Sequence, residues 1–141
     1  MLVRWLVFCT ILLLPFASSG AQTLTPHQQT AFDIYKELVE INTVTATGDT
    51  ERAAEAMAAR LRAAGFAGTD VQVLVSAPRT GNLVARLRGT GKRRPILLLA
   101  HTDVVDARRE DWSFDPFKLT EREGYFYGRG TDVDERPVVH Q

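Results

Sequence analysis

An α/β layered fold, two helices followed by a mixed sheet and incomplete as it stands, is predicted by three features of the sequence. Apolar residues recur at helical spacing across residues 26–65. From residue 71 the period shortens to two, the mark of half-buried strands. Residues 95–100, PILLLA, then drop the alternation altogether, as a strand covered on both faces does in the middle of an α/β sheet.

Taken in order, the first helix starts where Thr25 can cap it and Pro26 suits the first helical position. Ala31, Ile34, Tyr35, Leu38 and Ile41 give its apolar side, and His27 in its first turn faces solvent. TATGD breaks the pattern. A second helix runs from about Thr50, with Ala53, Ala54, Met57, Leu61 and Ala64 on one side and Gly65 as its stop. DVQVLVSA alternates through Val71, Val73 and Val75, and NLVARLRG through Leu83, Ala85 and Leu87, with Arg86 and Arg88 pointing away. GTGKRR is a solvated hairpin turn: it lacks the first glycine of a phosphate loop and has no Ser or Thr after Lys92. After PILLLA come a polar loop with aromatics, whose Trp112, Phe114 and Phe117 pack it against the sheet, and a short strand pair around KLTEREGYFYG.

Residues 1–21 stand outside the fold. MLVRW carries one positive charge, LVFCTILLLPFA is an apolar core, and SSGA ends in small residues, which together read as a signal peptide cleaved after Ala21. The run is short for a membrane span and contains Pro15, so stable membrane insertion after cleavage is not expected and the alternative is an uncleaved anchor. The expected location is secreted or periplasmic. Cys9 is the only cysteine and lies inside that apolar core, which excludes disulfide scaffolds, thiolate metal sites and cysteine nucleophiles from the mature chain. Formal net charge is zero and no basic stripe with interleaved aromatics occurs, so no nucleic-acid partner is expected.

His101 and Asp103 stand at the carboxyl end of the apolar run, where ligands gather in open α/β sheets. A spacing of two puts both side chains on one face if extended geometry persists through Thr102. A metal-bound histidine usually donates its other ring N–H to a carboxylate, so His-x-Asp can supply a ligand and its clamp. Spacing alone leaves a hydrogen-bonded structural histidine as the alternative, because a zinc site needs three or four ligands.

The longer stretch LLLAHTDVVDARREDWSFDPFKLTEREGYFYGRGT resembles the first metal-site segment of the co-catalytic zinc amidohydrolases, the peptidase family that includes aminoacylases, Gly-X carboxypeptidases and succinyl-diaminopimelate desuccinylase. His101, Asp103, Trp112, Pro116, Phe117, Gly124, Tyr127, Gly128, Arg129 and Gly130 carry the resemblance, which covers most of residues 26–131. It implies the N-terminal portion of a layered zinc-peptidase catalytic domain, with His101 a ligand of one of two zinc ions and Asp103 the catalytic-site carboxylate that orients it. It also implies hydrolysis of an amide or peptide bond by a hydroxide shared between two zinc ions, on a peptide, dipeptide or N-acyl amino acid, in a family often dimeric through a second domain. Arg129, between two glycines, reads as paired with a nearby carboxylate.

The family pattern expects a bridging aspartate three residues after Gly130, where this chain has Val133. Asp132 is the candidate metal ligand in its place and Asp134 flanks the other side, although a one-residue shift in extended geometry turns a side chain to the opposite face. Solvated loop aspartates are the other reading. DVDERPVVHQ departs from the family's continuation, and His140 belongs to this tail. Residues 1–21 are thus the expected signal peptide, 22–131 the N-terminal part of the metallopeptidase domain and 132–141 a divergent tail, as in a truncated gene product. The functional expectation is a secreted zinc-dependent amidohydrolase, inactive as this fragment; the alternative is a non-catalytic remnant or binding module of the same fold.

Overall fold

A computed structural model describes residues 23–131. The signal peptide, the cleavage point at Ala21, and Asp132, Val133, Asp134 and His140 lie outside the described residues.

Helix α1, Pro26–Val39, begins at a capping box. The Thr25 hydroxyl accepts from the Gln28 backbone N–H at 3.3 Å, and the Gln28 side chain accepts from the Thr25 N–H at 2.9 Å. Its C-terminal end is the buried part: Val39 and, just beyond, Ile41 are core residues, whereas Ala31 is exposed. Helix α2, Thr50–Ala63, is capped by Asp49, whose carboxylate accepts from the Arg52 N–H at 2.8 Å. Gly65, at φ +94, ends it in the left-handed conformation that favours glycine. The buried side of α2 is Ala53, Ala54 and Ala58, so Ala58 takes the place expected of Ala64, which lies past the helix end and is exposed. Met57 and Leu61 are half-buried. Arg60 of α2 reaches the Glu37 carboxylate of α1 and joins the two helices at their surface.

The alanine face of α2 packs on the antiparallel hairpin of β1, Val71–Ala77, and β2, Thr80–Ala85. Val71 pairs with Ala85, Val73 with Leu83 and Val75 with Gly81. Gly81 is the close approach: a Cβ there would stand 2.7 Å from the Cα of Glu51. Arg79, at φ 63, makes the turn, and its guanidinium donates to the carbonyls of Thr47 (3.3 Å) and Gly48 (3.2 Å). Its own carbonyl accepts from the Thr50 N–H at 3.0 Å, which fastens the hairpin tip to the start of α2.

Three expectations about the following stretch are corrected. Strand β2 stops at Ala85, Leu87 is 82 % exposed, and Arg88 does not point away. Its guanidinium turns back to Asp70, which is only 8 % exposed, with contacts of 2.6 to 3.1 Å to both carboxylate oxygens. A carboxylate this buried needs such a partner, and the bidentate fork supplies it. PILLLA, in turn, forms no ladder: among the described residues, 95–101 have no strand partner, and Ile96 and Leu98 are each 77 % exposed. A strand is defined by its neighbours, and an apolar run alone cannot provide them. GTGKRR is solvated as expected, but it turns the chain without closing a hairpin.

Pairing resumes at Val104, which bridges in parallel to Val44 just after α1. Beyond a loop, β3 (Thr120–Arg122) and β4 (Tyr125–Tyr127) form the expected short hairpin. Glu123 and Gly124, at φ 56 and 80, make its two-residue turn, the primed geometry that matches strand twist. Phe126 of β4 packs against Phe32 and Tyr35 of α1 at centroid distances of 5.5 and 5.8 Å. Trp112 stacks edge-on with Phe114, and Phe114 with Tyr127 of β4, so of the three loop aromatics Phe114 is the one seen against the strand pair. No helix among the described residues is long and apolar enough to cross a membrane.

The Asp70–Arg88 pair predicts a pH effect. Hydrogen bonds from Arg88 hold the Asp70 carboxyl below the ordinary carboxylate range; burial opposes this, and the charges of Arg88 and Arg86 add to it. A depressed folded-state pKa contributes stability above the unfolded value of about 3.9 and loses it as pH falls through the folded value. The wild-type advantage over Asp70→Asn in urea midpoint should therefore be constant from pH 7 to 5 and shrink below pH 4. An advantage that grew on acidification would contradict the assignment.

Candidate functional site

His101 and Asp103 come together at the end of the apolar run. Both are about half exposed, and His101 Nδ1 lies 2.8 Å from the Asp103 carbonyl oxygen and 3.1 Å from its Oδ1. Both neighbours are acceptors, so Nδ1 is the ring nitrogen that donates here. That is the protonation a metal ligand of this kind needs, with Asp103 as the group behind it.

The segment is held from two sides. On one, the Thr43 hydroxyl donates to the Thr102 carbonyl at 2.6 Å, and the Val44–Val104 bridge continues the pairing. On the other, the Gly128-Arg129-Gly130 return lies against residues 104–105. Arg129 Nε donates to the Val105 carbonyl at 2.7 Å, so among the described residues the arginine pairs with backbone and not with the carboxylate the sequence suggested. A Cβ at Gly128 would meet the Val39 side chain at 2.8 Å, and Gly130, at φ +80, would put one 3.0 Å from the Val104 side chain. Side-chain-free backbone is what lets the return seat so close. Thr131 is tied in by the Tyr35 hydroxyl, which donates to its carbonyl at 3.2 Å. Gly130 therefore lies beside Val104, the residue that follows Asp103.

His101 and Asp103 also form one rim of an open cleft of about 1120 Å³ whose walls include Met57, Leu74, Leu83 and Leu99 with Arg79 and Asn82. Among the described residues, no three His, Cys, Asp or Glu side chains cluster closely enough to hold a metal ion. An imidazole with a carboxylate behind it fits a borderline metal such as zinc, but it is one part of a set of three or four donors.

Thr43, Tyr35 and Arg79 were not legible as site residues. Each acts through a hydrogen bond between segments far apart in the chain, and the turn-forming Asn42, Gly48 and Asp49 were the nearest sequence signal for the loop that places Thr43.

Residues 97–140 match the family model described as peptidase family M20/M25/M40. The chain is 38 % identical over 108 residues to the succinyl-diaminopimelate desuccinylase of Gluconacetobacter diazotrophicus, covering 76 % of this chain and 27 % of that protein. It is 34 % identical over 101 residues to the acetylornithine deacetylase of Vibrio campbellii, covering 70 % and 26 %. Over 45 residues it is 53 % identical to an N-fatty-acyl-amino acid synthase/hydrolase of Xenopus tropicalis, covering 32 % and 9 %. No solved structure matches the chain. The chain thus spans about a quarter of the first two relatives and under a tenth of the third. The matched segment begins inside the apolar run and takes in His101, Asp103 and the Gly-Arg-Gly return.

Proposed function

We propose that this chain supplies the N-terminal part of the catalytic domain of a zinc-dependent hydrolase that cleaves an amide or peptide bond, with His101 a ligand of one of two zinc ions and Asp103 its orienting carboxylate. The M20 family acts on amide bonds and is generally metal-dependent. The observation that carries the reading is the contact of His101 Nδ1 with both Asp103 acceptors, inside the family-matched segment. The names of the three relatives each place an acyl group on an amino acid, which supports an N-acyl amino acid or a short peptide as the substrate class. Bound zinc would polarise the scissile carbonyl and lower the pKa of water at the site.

The chain's own residues contribute position and protonation. Asp103 keeps the ring proton on Nδ1, and the Arg129 and Thr43 hydrogen bonds hold the backbone on either side of Asp103. Asp132 is the further acidic ligand in this reading. The segment 1–21 directs export, with cleavage after Ala21, and the complete family site is completed by donors from other segments.

Metal analysis of the purified chain tests this. Zinc retained near one equivalent through dialysis, and lost in His101→Ala, supports the metal site. Zinc absent from the wild type, or retained unchanged in His101→Ala, turns the reading to a non-catalytic module of the same fold.

A further inference from the structure

Residues 86–103 carry neither helix nor ladder, and every one of them is exposed. The stretch is tied down near its two ends: the Arg88 guanidinium forks onto Asp70, and the Thr102 carbonyl accepts from the Thr43 hydroxyl. Between those anchors runs Gly89-Thr90-Gly91-Lys92-Arg93-Arg94-Pro95. A Cβ added to Gly89 or Gly91 would meet nothing within 4 Å, so the turn stands clear of the rest of the molecule. Among the described residues no hydrogen bond or ion pair holds Lys92, Arg93 or Arg94.

Three bare cations on open chain meet the two demands of an endopeptidase that cuts after basic residues. Such an enzyme holds its substrate as an extended strand, backbone to backbone, so the chain must be free of its own ladder on both sides of the bond. Segments of this kind open at almost no cost, whereas a bond inside a helix or hairpin waits for local unfolding. The basic side chain must also leave its neighbours and enter a pocket with a carboxylate at its base. The nearest alternatives are held back. Arg86 N–H donates to the Asp70 carbonyl at 2.8 Å and the Arg88 side chain is on the Asp70 carboxylate. The Arg108 carbonyl accepts from the Asp111 N–H at 3.0 Å, and Arg109 donates its guanidinium to the Trp112 carbonyl at 2.6 Å.

We propose that residues 89–94 are a processing site for a basic-specific endopeptidase, cut after Lys92 or Arg93. The peptide C–N bond breaks, and water supplies the hydroxyl of the new carboxyl group and a hydrogen to the new amino group. The bond after Arg94 is spared, because it leads to the ring nitrogen of Pro95, a tertiary amide with no N–H to present. The product is a two-fragment form that stays assembled. Its second fragment is held by contacts that bypass the turn: Phe126 on Phe32 and Tyr35, the Val44–Val104 bridge, and Gly128 beside Val39.

Brief digestion of the chain with a small amount of trypsin at low salt decides the matter, read by the masses of the products. The first cut within residues 23–131 should fall after Lys92 or Arg93, and the two fragments should elute together in size-exclusion chromatography and apart in urea. Lys92→Gln combined with Arg93→Gln should slow that first cut by about tenfold or more, to the rate set by local unfolding elsewhere. Pro95→Ala added to that pair should restore the fast cut, now after Arg94. All three substitutions fall on exposed residues and remove no packing contact. A first cut elsewhere within residues 23–131, a double variant cut as fast as wild type, or a triple variant as slow as the double each overturns the site. Fragments that part without denaturant overturn the assembled two-fragment form.

Discussion

Gly48→Ala is expected to destabilise the chain by about 3 kcal/mol, at the upper end of what overpacking costs. A Cβ at this position would stand 2.4 Å from the Val44 nitrogen, 2.6 Å from the Asn42 carbonyl oxygen and 2.7 Å from the Thr43 carbonyl carbon. All three are backbone atoms, so no side chain can swing aside, and relief must come from opening the loop. Opening it lengthens the Gly48–Val44 hydrogen bond, loosens the cap that Asp49 gives α2, and moves Thr43 away from Thr102. The damage should therefore reach the His101–Asp103 segment, seen as shifted amide signals at residues 101–104 in whatever folded fraction remains. Gly89→Ala is the control, because a Cβ there meets nothing within 4 Å. It should change the urea midpoint by an amount equivalent to no more than about 0.5 kcal/mol, the usual range for surface sites. A Gly48→Ala midpoint as close to wild type as that would show that the loop is not a rigid bracket.

That loop also marks where sequence reading ran out. The helices were legible because their signals are local: Thr25 and Pro26 at one start, Gly65 at one end, apolar residues at helical spacing between. The β1–β2 hairpin and the β3–β4 hairpin followed from alternation and from the Glu123-Gly124 turn. TATGD read only as a break in the pattern, because its order comes from backbone hydrogen bonds closed across four and seven residues and from an arginine about thirty residues on. Arg88 read as solvent-facing for the same kind of reason, since nothing in its alternating context reveals that Asp70 is buried and waiting for a cation. His101 and Asp103 were legible as a pair because two residues of spacing constrain their side chains directly. Asp132 was left open because the residue type that would bridge two cations is displaced by one position around Val133, and it lies outside the described residues.

Residues 22–141 expressed alone should self-associate, and the cause should map to the apolar run. Ile96, Leu97, Leu98 and Leu99 are 77, 65, 77 and 69 % exposed, consecutive, and attached to backbone with no ladder partner among the described residues. Burial of each such side chain is worth roughly 1.5–3 kcal/mol, so two copies that cover each other's run have several kcal/mol to gain before the cost of association. An open edge offers the hydrogen bonds to do so. Lys92, Arg93 and Arg94 sit just before the run and oppose it by charge repulsion between copies. The balance should thus shift with salt: as the screening length falls from about 10 Å at 0.1 M to about 3 Å at 1 M, association should strengthen. Leu98→Lys should return the chain toward monomer in size-exclusion chromatography at low salt. In a longer family polypeptide that covers the run on both faces, the same substitution should have the opposite sign and destabilise by several kcal/mol, because it would bury an unpaired ammonium. A monomeric wild-type chain with one sharp unfolding transition, indifferent to salt, would mean that the run is covered in solution and that both expectations fail together.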